Sequence, residues 1–212
     1  MCPSAILLAL LATTNDQSCD CLSLQEQVTK LEAEISELRR VHTLVSTDGV
    51  GKTRWGMSRA QVKRKYSEAQ EADEGLARKI KIANLDAIQL FIFTQDKLSI
   101  VGVLFSESYT NKNHHLADYQ KLQKLLEKKY GKALSTNTYW SQDLYRKNPK
   151  YIGRAVSKGD VQFISKWQTE KTDIELALFG NNFDVSLRIR YASRELKELQ
   201  QQQNEADNLS DL

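Results

Sequence analysis

Val185-Ser186-Leu187-Arg188-Ile189-Arg190-Tyr191 alternates apolar and polar side chains without a break. Successive side chains of a strand point to opposite faces, so this stretch predicts one face on a core and one in water. Two further apolar runs precede it, Val161 to Thr169 and Asp173 to Phe179. Gly180-Asn181-Asn182 reads as the hairpin turn into a last strand from Phe183 to Tyr191, because Gly and Asn tolerate the left-handed backbone of such turns.

Working backwards, residues 133–160 are irregular in pattern and carry Pro149, Gly153 and Gly159. Before them, Leu116, Tyr119, Leu122, Leu125, Leu126 and Tyr130 fall on one face of a helix that Gly131 stops. Ser58 and Gln61 form a capping-box pattern that opens an earlier helix running to about Ser67. A polar loop from Glu68 to Gly75 follows. Three strand candidates come next: Arg78 to Ala83, Ala87 to Thr94 and Leu98 to Ser106, the last two joined by the short Gln95-Asp96-Lys97 connection. The order suggests two helix-plus-three-strand units. The expected class is therefore α+β, an antiparallel sheet or sheets with helices on one face. The body spans 47–196. A helix from Ser193 to about Gln203 leads into a polar tail, so 197–212 reads as a helix end and a disordered terminus.

Trp55-Gly56-Met57-Ser58-Arg59-Ala60-Gln61-Val62 resembles the Gly-Met-Ser/Thr-x-x-x-Val helix opening of small bacterial envelope proteins, the SmpA/OmlA (BamE-like) lipoproteins and the β-lactamase-inhibitor-like fold. Tyr130-Gly131, Trp167 before a Thr-rich turn, and Ile189-Arg190-Tyr191 are similar to features of bacterial exported proteins of this size. The resemblance implies a binding or assembly module in the envelope rather than an enzyme. It carries over fold class and compartment, and no binding residues.

The N-terminal region has its own pattern. Ala5 to Ala12 is an unbroken apolar run of eight residues, followed by small and polar ones, which is the shape of a secretory signal. No Lys or Arg precedes it, and Ala12-Thr13-Thr14 is the best cleavage candidate, so 1–21 is read as a signal-like or anchor segment. A spanning helix needs about 20 apolar residues, so no segment is expected to cross a bilayer. All three cysteines, Cys2, Cys19 and Cys21, lie in this segment. A disulfide cannot staple the body, which has none.

Residues 22–46 carry a heptad seam. Cys21, Leu24, Val28, Leu31, Ile35, Leu38 and Val45 fall at a and d positions, with polar residues outside. Val28 and Ile35 at a, with Leu at d, favour a parallel two-stranded coiled coil. Glu34 then faces Arg39 of the second helix, and two Cys21 thiols come together in a geometry that admits a bridge in an oxidising compartment. A trimer, or a stripe packed on the chain's own domain, fits the same spacing.

The composition is that of an ordinary globular chain: 212 residues, 41% hydrophobic, 27% charged, net charge +3. So small a net charge argues against nucleic acid as the main partner. Gly49-Val50-Gly51-Lys52-Thr53 imitates the end of a phosphate loop, but Ser46 stands where its first glycine belongs. His114 and His115 are adjacent and cannot face one metal from a helix. No catalytic residue, metal site or cofactor is assigned. Between residues 139 and 158, however, Trp140, Tyr145 and Tyr151 interleave with Arg146, Lys147, Lys150, Arg154 and Lys158, opposed only by Asp143. Aromatics among cations suit an anion such as a phosphate or a lipid headgroup.

These features predict a non-enzymatic, periplasmic or secreted bacterial protein that self-associates through its coiled coil and binds another macromolecule, with an envelope protein as the expected partner. An anion-binding module using 139–158, nucleic acid included, is the alternative, and a hydrolase the second. Without a functional signal the chain would be cytoplasmic.

Overall fold

A computed structural model describes residues 25–34, 48–73 and 75–210. The chain divides into two units, 1–45 and 46–212. In the first, residues 25–34 are helical (α1) and every one of them is exposed. The signal-like segment 1–21 and the seam positions Cys21, Leu24, Ile35, Leu38 and Val45 lie outside the described residues.

The second unit is α+β, as the sequence pattern requires. Its helices are α2 (Arg59–Lys65), α3 (Asn113–Tyr130), α4 (Ile152–Lys158) and α5 (Lys197–Ser210), with a 3-10 turn at Pro149–Tyr151. Eight strands are β1 (Gln70–Ala72), β2 (Gly75–Ile82), β3 (Leu85–Thr94), β4 (Lys97–Phe105), β5 (Ser135–Trp140), β6 (Val161–Gln168), β7 (Thr172–Asn181) and β8 (Asp184–Ser193). They form one antiparallel sheet in the order β1-β2-β3-β4-β8-β7-β6-β5. The two halves mirror each other about the β4–β8 pair. In the first, α2 precedes a four-strand meander; in the second, α3 precedes β5, the 3-10 turn and α4 intervene, and β6 to β8 form a three-strand meander.

The register explains where the core sits. Leu76 is opposite Phe91, Phe91 opposite Val101, Val101 opposite Tyr191, Tyr191 opposite Ile174 and Ile174 opposite Trp167. This row crosses six strands, and every member is buried. Val62 and Tyr66 near α2, Tyr119 and Leu122 of α3, and Ala155 and Val156 of α4 join the same cluster. The Tyr66 ring stacks on Phe91 at 5.3 Å, and the Tyr119 hydroxyl shares a buried hydrogen bond with Ser165 at 2.7 Å. One residue along each strand, the pleat turns the other way. Lys79, Ile88, Leu104 and Arg188 form a row on the outer face, with Ile88 and Leu104 exposed.

The capping box at Ser58 forms in both directions: the Ser58 N–H donates to Gln61 Oε1 at 2.8 Å, and the Gln61 N–H to Ser58 Oγ at 3.3 Å. Three two-residue turns, Ala83-Asn84, Gln95-Asp96 and Asn182-Phe183, have both residues at positive φ. Such turns match the right-handed twist of the strands they join. The Gly49–Thr53 stretch is a turn packed near Tyr66, whose hydroxyl accepts from the Lys52 N–H at 2.8 Å. Among the described residues no strand adjoins it, and α2 begins only at Arg59.

Several expectations need correction. Each unit has four strands, not three, because β1 lies in the supposed loop Glu68–Gly75 and β5 in the supposed irregular stretch. Both are outermost in the sheet and mostly exposed, so neither shows the apolar alternation that betrays a half-buried strand. The stretch 133–160 also contains α4, which has no side-chain cap. On α3 the buried face is His115, Tyr119, Leu122 and Leu126, while Leu125 is exposed. The last hairpin turns at Asn182-Phe183 rather than Gly180-Asn181-Asn182, so Phe183 is a turn residue. Finally, α5 begins at Lys197 and continues as helix to Ser210, where a disordered tail was expected. It is held at the β3–β4 end of the sheet, where the Gln200 amide donates to Ser99 O at 3.3 Å. Among the described residues, no helix is long and apolar enough to cross a membrane.

Candidate functional site: a basic cavity beside the start of the long helix

Lys112 occupies the cap position of α3 with helical φ and ψ and no side-chain cap. Asn113, next to it, clamps α4 in place. Its side-chain oxygen accepts from the Gly153 N–H at 2.7 Å, and its amide donates to Lys150 O at 2.8 Å. A Cβ on Gly153 would lie 2.3 Å from both Asn113 N and the Lys112 carbonyl carbon. Only glycine permits this approach, and the approach brings Lys112 beside Lys150 and Arg154. The 3-10 turn is pre-set by Pro149 at its first position and by the Asn148 side chain, which accepts from the Lys150 N–H at 3.2 Å.

The tip of the β7–β8 hairpin forms another wall. Phe183 donates its N–H to Ser157 O at 2.8 Å. Gly180 lies so close to α4 that an added Cβ would be 2.3 Å from Val156 O. These contacts border an open surface hollow of about 400 Å³ lined by Lys112, Lys150, Arg154, Tyr151 and Phe183, with Thr110 and Asn111 among its polar members. Among the described residues none of the three cations forms an ion pair. Lys150 Nζ lies 5.8 Å from the centre of the Tyr151 ring, and Tyr145 packs on the same ring at 5.8 Å.

His115 is buried one helical step behind Lys112. Burial holds its pKa below the ordinary histidine value, and the charge of Lys112 adds to the effect. Tyr109 packs against both histidine rings, at 5.2 Å from His114 and 4.9 Å from His115. Among the described residues no group of three or more His, Cys, Asp or Glu could hold a metal ion.

The structure thus brings Lys150, Tyr151 and Arg154 of the basic-aromatic stretch to the cavity, with Tyr145 behind the Tyr151 ring, and leaves the others off its lining. Arg146 pairs with Asp143 at 3.2 Å. Lys158 pairs with Asp160 at 3.4 Å and lies 5.4 Å from the Tyr145 ring. Tyr145 packs against the core, and Lys147 is exposed and not among the lining residues of the cavity. Trp140 lines a different hollow of about 380 Å³ with Tyr139 and Phe179. Lys112 and Phe183 were missed. Asn111 to Asn113 showed only a break between elements, and Phe183 looked like the first residue of a strand. The available signal was a Phe following Asn where a two-residue turn wants left-handed backbone. Of the seam residues, Val28 and Leu31 are described, on one helix and exposed at 51% and 56%.

Three cations from two stretches of chain, with aromatic walls, can hold an anion by charge-assisted hydrogen bonds. Arg154 offers a planar fork, and the two lysines offer point charges. Compared with known proteins, the chain matches no family model, no curated protein and no solved structure.

Proposed function

We propose that this chain is a non-enzymatic binding protein whose body takes up an anionic group in the cavity of Lys112, Lys150 and Arg154. The convergence of these cations, from the start of α3, the 3-10 turn and α4, without a carboxylate partner among the described residues, carries the reading. Like charges gathered in one cavity repel, and an anion relieves that repulsion. The lining residues are hydrogen-bond donors and aromatics, with no carboxylate and no imidazole among them, which suits holding a ligand rather than moving its protons. This also weighs against the hydrolase reading.

The test is calorimetric titration of the full chain with pyrophosphate at low and at physiological salt. The reading expects binding that weakens with salt, because exposed charges are screened, and loss of binding in K112Q/K150Q/R154Q. Undiminished binding by the triple variant, or none by the native chain, contradicts it.

A second reading concerns assembly. Val28 and Leu31 lie three residues apart on α1 and are exposed, as a helix seam awaiting a second helix would be. Self-association into a parallel dimer would display two copies of the basic cavity at once. The signal-like segment and the Gly56-Met57-Ser58 resemblance support a bacterial envelope or secreted location. Intact mass of the protein from its native host, with and without reductant, tests both: a processed, disulfide-linked dimer supports them, and a full-length reduced monomer contradicts them.

A further inference from the structure

Phe183 has a φ of 70°, in the left-handed region where a bulky side chain is strained and where Gly or Asn is the usual occupant. Its ring gains little burial in exchange, since the residue is 58% exposed. The two-residue hairpin turn between Asn181 and Asp184 imposes this φ, as it does at Ala83-Asn84 and Gln95-Asp96, but Phe183 is the one bulky aromatic among the six turn residues. Two contacts seat the hairpin tip against α4: the bond from Phe183 N–H to Ser157 O, and the close approach of Gly180. Among the described residues Phe183 has no aromatic or cation partner, whereas Tyr151 has both Tyr145 and Lys150 against its ring. A free aromatic face therefore overlooks a cavity that already holds three cations.

We propose that this cavity binds a free mononucleotide, with the phosphate held by Lys112, Lys150 and Arg154 and the base laid against Phe183. The proposal rests on the anion-binding reading and adds a planar ring to it. Stacking of a base on an aromatic face needs no particular hydrogen-bond pattern, only an accessible ring. The volume, about 400 Å³, lies in the range of small-ligand sites. A polymer is disfavoured on two grounds. The net charge is only +3, too small a field for a strand of phosphates. The neighbouring cations Arg146 and Lys158 are already paired with Asp143 and Asp160, so the basic surface does not continue as a track.

The experiment is calorimetry on the full chain with adenosine 5′-monophosphate, ribose 5-phosphate, adenosine and a single-stranded oligonucleotide. The mononucleotide is expected to bind roughly tenfold or more tighter than ribose 5-phosphate, and adenosine weakest. Phe183→Gly suits the positive φ, so its thermal midpoint should be unchanged or raised. Its affinity for the mononucleotide should fall to that for ribose 5-phosphate, and Phe183→Trp should restore the difference. Equal affinity for mononucleotide and ribose 5-phosphate overturns the base-stacking proposal and leaves the anion site standing. Absence of binding by either phosphate overturns both. Tighter binding of the oligonucleotide than of the mononucleotide overturns the free-nucleotide assignment in favour of a strand.

Discussion

Asn113 and Gly153, forty residues apart, are joined by a 2.7 Å hydrogen bond from the Gly153 N–H to the Asn113 side chain. The bond fastens α4 to the first turn of α3, and the three cations of the cavity sit around it. The site is therefore a by-product of how two helices meet, not of any one stretch of sequence.

Gly153→Ala tests the junction. The added Cβ meets backbone atoms at 2.3 Å, and backbone cannot move aside as a flexible side chain can. Overpacking of this kind costs about 2 kcal/mol. Urea unfolding should show that loss, together with weaker pyrophosphate binding as α4 is pushed away from Lys112.

Lys112→Gln, Lys150→Gln and Arg154→Gln should behave in the opposite way. None of these side chains holds an ion pair among the described residues, so each variant should change the unfolding free energy by less than about 0.5 kcal/mol. Each should nevertheless weaken pyrophosphate binding by roughly tenfold, the worth of one hydrogen bond to a charged group. A large stability loss in any of them would show that the cation serves the fold instead.

His115 makes stability depend on pH. Burial, followed by the charge of Lys112, lowers its pKa in the folded chain, so the unfolded chain takes up a proton more readily. Stability from this group is present above the ordinary histidine value, about 6.5, and is lost as pH falls through that value toward the folded one. Unfolding midpoints measured from neutral to mildly acid pH should decline in the native chain and decline less steeply in His115→Gln.

For α1, Leu31→Glu places a charge on the exposed seam. If the parallel-dimer reading holds, light scattering of the full chain should move from dimer to monomer, because a buried charge at a d position opposes pairing; a native chain that is already monomeric contradicts that reading. The body should unfold as before, since residues 25–34 are all exposed and belong to a separate unit.

The alternation from Val185 to Tyr191, the Ser58–Gln61 cap and the brief connection at Gln95-Asp96 were each legible, because each depends on residues near in sequence. The sheet order was not legible. Pairing of β4 with β8 joins Val101 to Tyr191, and no local pattern reports a contact across that distance. The outermost strands β1 and β5 were hidden by their polarity, and α4 by its lack of a cap. Half of the cavity was visible as Lys150, Tyr151 and Arg154. Lys112 and Phe183 reach it only through the packing of Gly153 and Gly180 on neighbouring backbone, which composition cannot reveal.

Backbone amide chemical-shift mapping of the labelled full chain during pyrophosphate titration tests the central claim most directly. The account predicts saturable shifts concentrated at Thr110 to Asn113, Lys150 to Arg154 and Phe183, absent in K112Q/K150Q/R154Q. Shifts centred on the outer sheet face around Lys79 and Arg188, or none at any concentration, would contradict it.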